Sequence, residues 1–237
     1  MGELPVKPHG TRPAQSETPE RSTTPATASR GERRRLKTRA TLIEAAQRLL
    51  IEDRVNASVL EITQLADVGT GSFYNHFASK EDLFRAVVDE ALERHGELMD
   101  AATEGLGDPA EVFARSFRLT GRLHRLVPGM SMVLIHRGTE LVMSDRGLAP
   151  RALRDIRAGV AAGRFTIADP ELALVAAGGA IIALGQLLHS QPERDAAPAS
   201  DLLTRQILQV FGLDEAEARD LCDRPLPDLE RLLAERA

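Results

Sequence analysis

The chain has 237 residues, of which 43% are hydrophobic and 27% are charged. This composition is typical of a globular protein of one or two domains and excludes a wholly disordered or collagen-like chain. The formal net charge of −5 excludes a uniformly basic nucleic-acid coat, so any DNA contact must come from a local patch. The single cysteine, Cys222, excludes an internal disulfide and fits a reducing cytosol.

The N-terminal part of the chain changes character at Arg30. Residues 1–29 contain prolines among serine, threonine and glutamate, which predicts a disordered N-terminal tail. Between positions 30 and 39, six basic residues stand against Glu32 alone. We predict that this basic segment runs into a helix from about Arg33 to Glu52 with one apolar face. A solvated disordered segment is an equal alternative for the basic run.

Two short helices joined by a tight turn are predicted next. Ser58, with Glu61 three residues later, forms a capping-box pattern that opens the first helix. The turn follows at 67–69, and the second helix spans Thr70 to Phe77. This is the helix-turn-helix arrangement, whose second helix can enter the DNA major groove.

The rest of the chain is also helical in pattern and contains no strand pattern, which predicts an all-α fold. Ser79 caps a long helix from Lys80 to about Thr103. The uncharged run 172–188 is shorter than the roughly 20 residues of a membrane-spanning helix and favours a buried packing helix. Further predicted elements are helices from Pro109 to about Val127, from Pro150 to about Ala162, from Pro170 to His189 and from a cap at Ser200 or Asp201 to Phe211, a short apolar segment at 130–135, a loop at 191–200 and a short helix near 214–222.

The second short helix carries residue types that suit DNA binding. Phe73 and Phe77, four residues apart, would anchor it inward, and Gly71 permits a close backbone approach. Lys80, beside the free backbone N–H groups of the next helix, suits a phosphate. The alternatives to DNA contact are that Tyr74 is a core residue and that His76 is an ordinary surface residue. The hydrogen-bonding side chains of this helix are Thr70, Ser72, Tyr74, Asn75 and His76.

The run from Ile62 to Leu83 resembles, without a gap, the signature of the TetR family of bacterial transcriptional repressors. That pattern reads Ile-Ala-x-x-Ala-Gly-Val-Ser-x-Gly-Thr-hydrophobic-Tyr-x-His-Phe, followed by Ser-Lys-Glu-x-Leu. With the preceding helix, the resemblance covers about residues 36–96. It implies a three-helix DNA-binding domain with a helix-turn-helix and a basic arm at residues 30–79. An all-α effector-binding and dimerisation domain would follow at residues 80–237.

Three residues depart from the family pattern. Asp67 replaces the glycine of the turn, but aspartate tolerates the left-handed conformation. Gly69 replaces the serine that commonly caps the second helix, at a cost of a few tenths of a kcal/mol. Asn75 replaces a more usual aromatic residue, and because asparagine pairs with adenine, the preferred DNA sequence should differ.

Carried over position by position, the resemblance implies DNA contacts at Thr70, Ser72, Tyr74, Asn75 and His76, and a phosphate contact at Lys80. In the family, the positions of Tyr74 and His76 mainly contact the DNA backbone. We expect Thr70, Ser72 and Asn75 to contact bases. Residues 40–100 hold five basic and twelve acidic side chains, so the basic segment should compensate. We expect contacts to phosphates or a narrow minor groove from Arg33, Arg34, Arg35, Lys37 and Arg39.

Aromatic residues make up only 3% of the chain, so few of them are candidates for lining an effector pocket. An adaptable apolar pocket or, equally, ordinary core is predicted for a group of phenylalanine and methionine residues. His124, His136 and Arg137 are candidates for binding an acidic or polar effector group, with exposed placement as the alternative. These pocket candidates are Phe113, Phe117, His124, Met130, Met132, His136 and Met143. The family resemblance places dimerisation in the glycine-containing helix around 175–188 and the helix at 202–211.

The sequence therefore predicts a cytoplasmic, homodimeric transcriptional regulator and not an enzyme. The family resemblance implies a repressor that a small-molecule effector releases from a near-palindromic double-stranded DNA operator, and we expect no cofactor, metal or membrane partner. Two alternatives are a ligand-independent DNA-binding protein and a protein-interaction module that has lost DNA binding.

Overall fold

Helices form all the regular secondary structure in the residues that the computed structural model describes, which are 1–2, 29–52, 54, 56–142, 144 and 147–234. The predicted all-α fold class is confirmed. The helices are α1 (Arg30–Ile51), α2 (Val59–Leu65), α3 (Thr70–Tyr74), α4 (Lys80–Ala102), α5 (Pro109–Leu126), α6 (Pro128–Val142), α7 (Leu148–Ala161), α8 (Pro170–Ser190), α9 (Ala196–Val210), α10 (Glu215–Asp223) and α11 (Leu229–Ala234).

The basic segment is part of α1, which begins three residues before the predicted start at Arg33. Ser29 caps the helix: its Oγ accepts the Glu32 backbone N–H at 3.2 Å, and the Glu32 carboxylate accepts the Ser29 N–H at 3.4 Å. This reciprocal pair satisfies two backbone donors at the helix start. Most of the predicted disordered tail, residues 3–28, lies outside the described residues.

The first three helices and the start of α4 share one apolar core. Phe73, Leu42, Ile62 and Leu83 are fully buried there. Ser58 and Glu61 form the predicted capping box of α2. Ser79 caps α4 as predicted, through a 3.1 Å hydrogen bond from the backbone N–H of Asp82. Local capping and a shared core thus hold the two short helices in a fixed arrangement.

Several boundaries in the second half differ from prediction. The apolar segment predicted at 130–135 is too short, because α6 begins at Pro128, directly after the end of α5, and continues to Val142. Proline loses no hydrogen bond at the first helical position, since that N–H has no partner within the helix. The predicted loop at 191–200 is also wrong in its second half: the Asp195 carboxylate accepts the Ala197 N–H at 2.9 Å and starts α9 at Ala196. Helix α11 was not predicted.

A second core lies between α5, α7, α8, α9 and α10. The rings of Phe113, Phe165 and Phe211 pack together with centroids 5.0 to 5.9 Å apart. Helix α8 is long and apolar enough to cross a membrane by length and composition alone. It packs against α5, α6, α7 and α9. Its buried face agrees with the predicted packing helix and consists of Ala173, Ala177, Ile181, Leu184, Gly185 and Leu188.

Candidate DNA-binding surface and ligand cavity

Two phenylalanines fix the orientation of α3. Phe73 is 0% exposed, and Phe77 is buried with its ring centroid 5.9 Å from that of Phe73. Tyr74 meets Phe73 edge-on at 5.2 Å but remains 60% exposed, so it is not a core residue. Thr70, Gly71 and Asn75 are exposed beside it, and Ser72 and His76 are half-buried. The helix therefore presents a polar face to solvent.

The turn before α3 contains two of the three departures from the family pattern, Asp67 and Gly69, and accommodates both. Asp67 has φ 52°, the left-handed conformation expected there. The Val68 N–H donates to the Thr63 carbonyl at 3.0 Å and closes the turn. Gly69 is extended and caps α3 without a side-chain hydrogen bond. The turn survives because the backbone supplies its hydrogen bonding.

The basic segment of α1 lies against the C-terminal end of α3. Arg39 places its Cζ 5.4 Å from the centre of the Phe77 ring. Burial, and then the positive charges of Arg35 and Arg39, lower the pKa of His76. These two arginines are four residues apart and so share one side of the helix. Arg33, Arg34 and Lys37 are exposed on the same segment, which joins the polar face of α3 to a basic surface.

Lys80 is the first residue of α4 and follows this surface in the chain. Its side chain is half-buried. The start of a helix presents free backbone N–H groups that suit an anion. One of those donors is already taken by Ser79, and Glu81 and Asp82 add negative charge in the first turn. The lysine is therefore the group at this helix start that can attract a phosphate.

A cavity of about 90 Å³, here called the central cavity, lies between α4, α5, α6, α7 and α8. Phe113 and Phe117 are part of its wall, as predicted for an apolar pocket, with ring centroids 5.6 Å apart. Most of the wall is apolar. Its polar residues are Asp100, Thr103, Ser116, Thr120, Arg151 and Asp155.

The other predicted pocket residues lie elsewhere. Met130 borders a separate cleft between α1, α4 and α6, and neither Met132 nor His136 belongs to the described wall of the central cavity. His124 is buried next to α6 and α8: its Nδ1 lies 2.7 Å from Ser131 Oγ, and its Nε2 lies 3.0 Å from the Ile181 carbonyl oxygen. Burial lowers the pKa of His124 to about 4. Met143 lies outside the described residues.

Ion pairs cross one end of the central cavity. Arg151 on α7 donates to Asp100 on α4 at 2.8 Å and to Glu93 at 2.6 Å. Arg154 donates to Asp100 at 3.0 Å and to Asp155 at 2.9 Å. Burial raises the pKa of Asp155, and Arg154 only partly offsets that effect. Sequence reasoning missed this polar end, because its residues come from separate helices and form no local motif.

Helices α8 and α9 each leave an apolar strip facing solvent. On α8, Leu172 is 66% exposed and Val175 is 46% exposed. On α9, Leu202 and Val210 are 51% and 67% exposed. A Cβ at Gly179 on α8 would meet nothing within 4 Å. Exposed apolar side chains of this kind are candidates for contact with another protein surface.

Comparisons with known proteins agree with this architecture. Residues 42–87 match the family of bacterial regulatory proteins of the tetR type, and residues 108–224 match the tetracyclin repressor-like C-terminal domain. The crystal structure of RolR in complex with resorcinol is 36% identical, covers 83% of this chain and 98% of its own, and has a TM-score of 0.60. FadR from Bacillus subtilis in complex with stearoyl-CoA is 19% identical, covers 74% of this chain and 99% of its own, and has a TM-score of 0.57. No curated protein sequence matches the chain.

These features define a helix-turn-helix transcription regulator with a helical C-terminal domain. The chain belongs to the TetR family of bacterial regulators. This is a family of DNA-binding proteins and not of enzymes. The likeness to FadR, at 19% identity, is one of fold alone.

Proposed function

We propose that this protein is a homodimeric repressor that binds a near-palindromic DNA operator in the cytoplasm and is released by a small-molecule effector. The observation that carries the proposal is the exposed polar face of α3 beside the basic residues Arg35 and Arg39. Residues 30–79 would form the DNA-binding domain and residues 80–237 the effector-binding and dimerisation domain. The separate family matches at 42–87 and 108–224 support this division.

The exposed residues of α3 would read the major groove. Thr70, Ser72 and Asn75 can each hydrogen-bond a base edge, and asparagine can form a bidentate pair with adenine. Tyr74, His76 and the Lys80 ammonium group would contact the DNA backbone and fix the position of the helix. Gly71 leaves open space at the surface, since a Cβ there would meet nothing within 4 Å.

The basic segment would bind phosphates flanking the groove that α3 enters. It is helical from Arg30, and a helix about 10–12 Å wide does not fit a minor groove about 6 Å wide. Of the two targets that the sequence suggested, the phosphates therefore suit this segment better. The residues that would make these contacts are Arg33, Arg34, Arg35, Lys37 and Arg39.

The apolar strips of α8 and α9 would form the dimer interface. Pairing them with the same strips of a second copy buries Val175 and Leu202 in a four-helix arrangement. A twofold axis through this interface makes the two copies of α3 equivalent. Half-sites about one helical turn apart, roughly 34 Å, would then form an inverted repeat.

The central cavity would hold the effector. RolR, the relative at 36% identity, is described with resorcinol, a dihydroxybenzene. A cavity of about 150 Å³ in another protein accommodates benzene, so a cavity of about 90 Å³ must enlarge even for a single ring and is far too small for a long acyl chain. The apolar wall and polar end favour a small hydroxylated aromatic compound over a long acyl chain.

Helix α4 would transmit effector binding to the DNA-binding domain. Its first residue, Lys80, lies near α3, and Leu92, Met99 and Asp100 belong to the cavity wall. Helix α6 also touches both regions, through the cavity residue Leu134 and its packing against α1. A ligand that repositions these helices changes the spacing of the two α3 helices in the dimer.

The test of DNA reading is selection of bound duplexes from a random pool with purified protein at about 150 mM salt. We expect a recovered inverted repeat. Binding without a consensus that disappears at modestly higher salt would favour the ligand-independent DNA-binding alternative. A folded dimer that selects no DNA would contradict the proposal and favour the interaction module.

A further inference from the structure

Two polar groups in the wall of the central cavity have no hydrogen-bond partner among the described residues. Asp155 on α7 uses Oδ1 to accept from Arg154, and its Oδ2 has no such contact. Ser116 on α5 has an unpaired hydroxyl, although its backbone carbonyl accepts from Thr120. The Asp155 side chain is only 13% exposed, so solvent access to it is limited.

The remaining oxygen groups of the wall are already engaged. Asp100 accepts from Arg151 through Oδ2 and from Arg154 through Oδ1. The Thr103 hydroxyl donates to the Met99 carbonyl at 2.8 Å. The Thr120 hydroxyl donates to the Ser116 carbonyl at 2.8 Å. The unused hydrogen-bonding capacity of the polar side chains is therefore clearest at Asp155 and Ser116.

We infer that Asp155 and Ser116 are the specificity-determining residues of the cavity and bind two hydroxyl groups of an uncharged aromatic effector. This inference rests on the proposed ligand role of the cavity. Asp155 Oδ2 would accept an O–H of the ligand, and Ser116 Oγ would pair with a second one. The ligand body would lie against Phe113, Phe117 and Ile181, which belong to the same wall.

The charge of the wall also selects against carboxylate ligands. Asp100 and Asp155 contribute two negative charges and Arg151 one positive charge, and Arg151 is already paired with Glu93 and Asp100. A ligand carboxylate would face Asp155 without a free cation among the wall residues. Burying like charges close together is unfavourable, so a neutral phenol is favoured over a benzoate.

The test is calorimetric titration of the full-length protein without DNA, using three probes of similar size. Resorcinol carries two hydroxyl donors, m-xylene replaces both hydroxyl groups by methyl groups of similar size, and benzoate carries a carboxylate. We expect resorcinol to bind at least about tenfold more tightly than either of the other probes, because a ligand without a donor leaves the Asp155 acceptor without a hydrogen-bond partner.

Variants assign the effect to the two residues. Asp155→Asn keeps an acceptor for Arg154 and should weaken resorcinol binding about ten- to a hundredfold. Ser116→Ala should weaken it about three- to tenfold. Asp220→Asn is the control, because this surface carboxylate on α10 also pairs with an arginine, Arg224, but does not belong to the cavity wall. Thermal unfolding of each variant verifies that it is folded.

Several outcomes would overturn the inference. They are equal binding of m-xylene and resorcinol, wild-type affinity in folded Asp155→Asn and Ser116→Ala, or no binding of resorcinol and its isomers catechol and hydroquinone. Because no DNA is present, these outcomes leave the selected operator unaffected. Failure to select an operator would conversely leave the binding data unchanged, so the two proposals fail separately.

Discussion

Arg39 of α1 lies over the ring of Phe77, with its Cζ 5.4 Å from the ring centre. Phe77 packs in turn against Phe73 of α3. A cation over an aromatic face is attracted by the ring quadrupole. This contact links the basic segment to the helix that carries the exposed polar face, so the two surfaces are held in a fixed relationship.

The salt dependence of operator binding should report the phosphate contacts of α1. Arg35→Ala and Arg39→Ala should each weaken binding and reduce the slope of log affinity against log salt by about one. Arg48→Ala, near the other end of the same helix, should change neither. Fluorescence anisotropy on the selected operator at several salt concentrations measures the slopes. Identical slopes for all four proteins would contradict a phosphate role.

Adjacent aromatic residues of α3 should separate stability from DNA binding. Phe73→Ala removes a fully buried ring and should lower the free energy of unfolding by about 3–5 kcal/mol. Tyr74→Ala removes an exposed ring and should change it by only about 0.5 kcal/mol, while weakening operator binding. Urea unfolding and anisotropy measure the two effects. Unchanged operator affinity of the Tyr74→Ala variant would contradict a role of Tyr74 in DNA binding.

A charge in the apolar strip of α8 should disrupt the dimer. Val175→Glu places a carboxylate on the surface proposed to be buried between two copies, where an unpaired charge is costly. Leu60→Glu, at an exposed leucine of α2, is the matched control. Analytical ultracentrifugation should find a monomer only for the first variant. A Val175→Glu protein that remains dimeric at micromolar concentration would place the interface elsewhere.

The buried histidines should make the protein less stable in acid. Burial lowers the pKa of His124 to about 4 and that of His95 to about 3, both from 6.5. Between pH 6.5 and these lowered pKa values, the two histidines bind protons in the unfolded chain but not in the folded chain. The free energy of unfolding should therefore be fully retained above about pH 6.5 and fall as the pH drops towards 4.

Urea unfolding of wild type and His124→Gln across this pH range measures the effect. The variant cannot take up the proton at this position, so its free energy of unfolding should fall less steeply with decreasing pH. Parallel pH profiles for the two proteins would contradict a neutral buried His124.

Features coded by neighbouring residues could be predicted from the sequence. Ser58 and Glu61 signal the start of α2 within four positions, and Ser79 and Asp82 do the same for α4. Ser29 and Glu32 carry the same signal at the start of α1. The prediction nevertheless began this helix at Arg33, because it rested on the change of charge at Arg30 and not on the cap. Pro128 could have extended the predicted segment at 130–135 towards its N-terminus, because proline is compatible with the first position of a helix.

The polar end of the central cavity could not be predicted in this way. Asp100, Ser116 and Asp155 lie on three helices and meet only through tertiary packing. Phe113 and Phe117 could be proposed because they are four residues apart on one helix face. His124 resembled a ligand-binding histidine in sequence, but Ser131 and Ile181 occupy both of its ring nitrogens.

The central claim is that a ligand in the central cavity controls operator binding. Its most direct test is the affinity of the wild-type dimer for its selected operator with and without saturating resorcinol. The account predicts an affinity about 5- to 150-fold lower with resorcinol, and a decrease in resorcinol affinity by the same factor when operator is bound. Equal operator affinities in the presence and absence of bound resorcinol would contradict it.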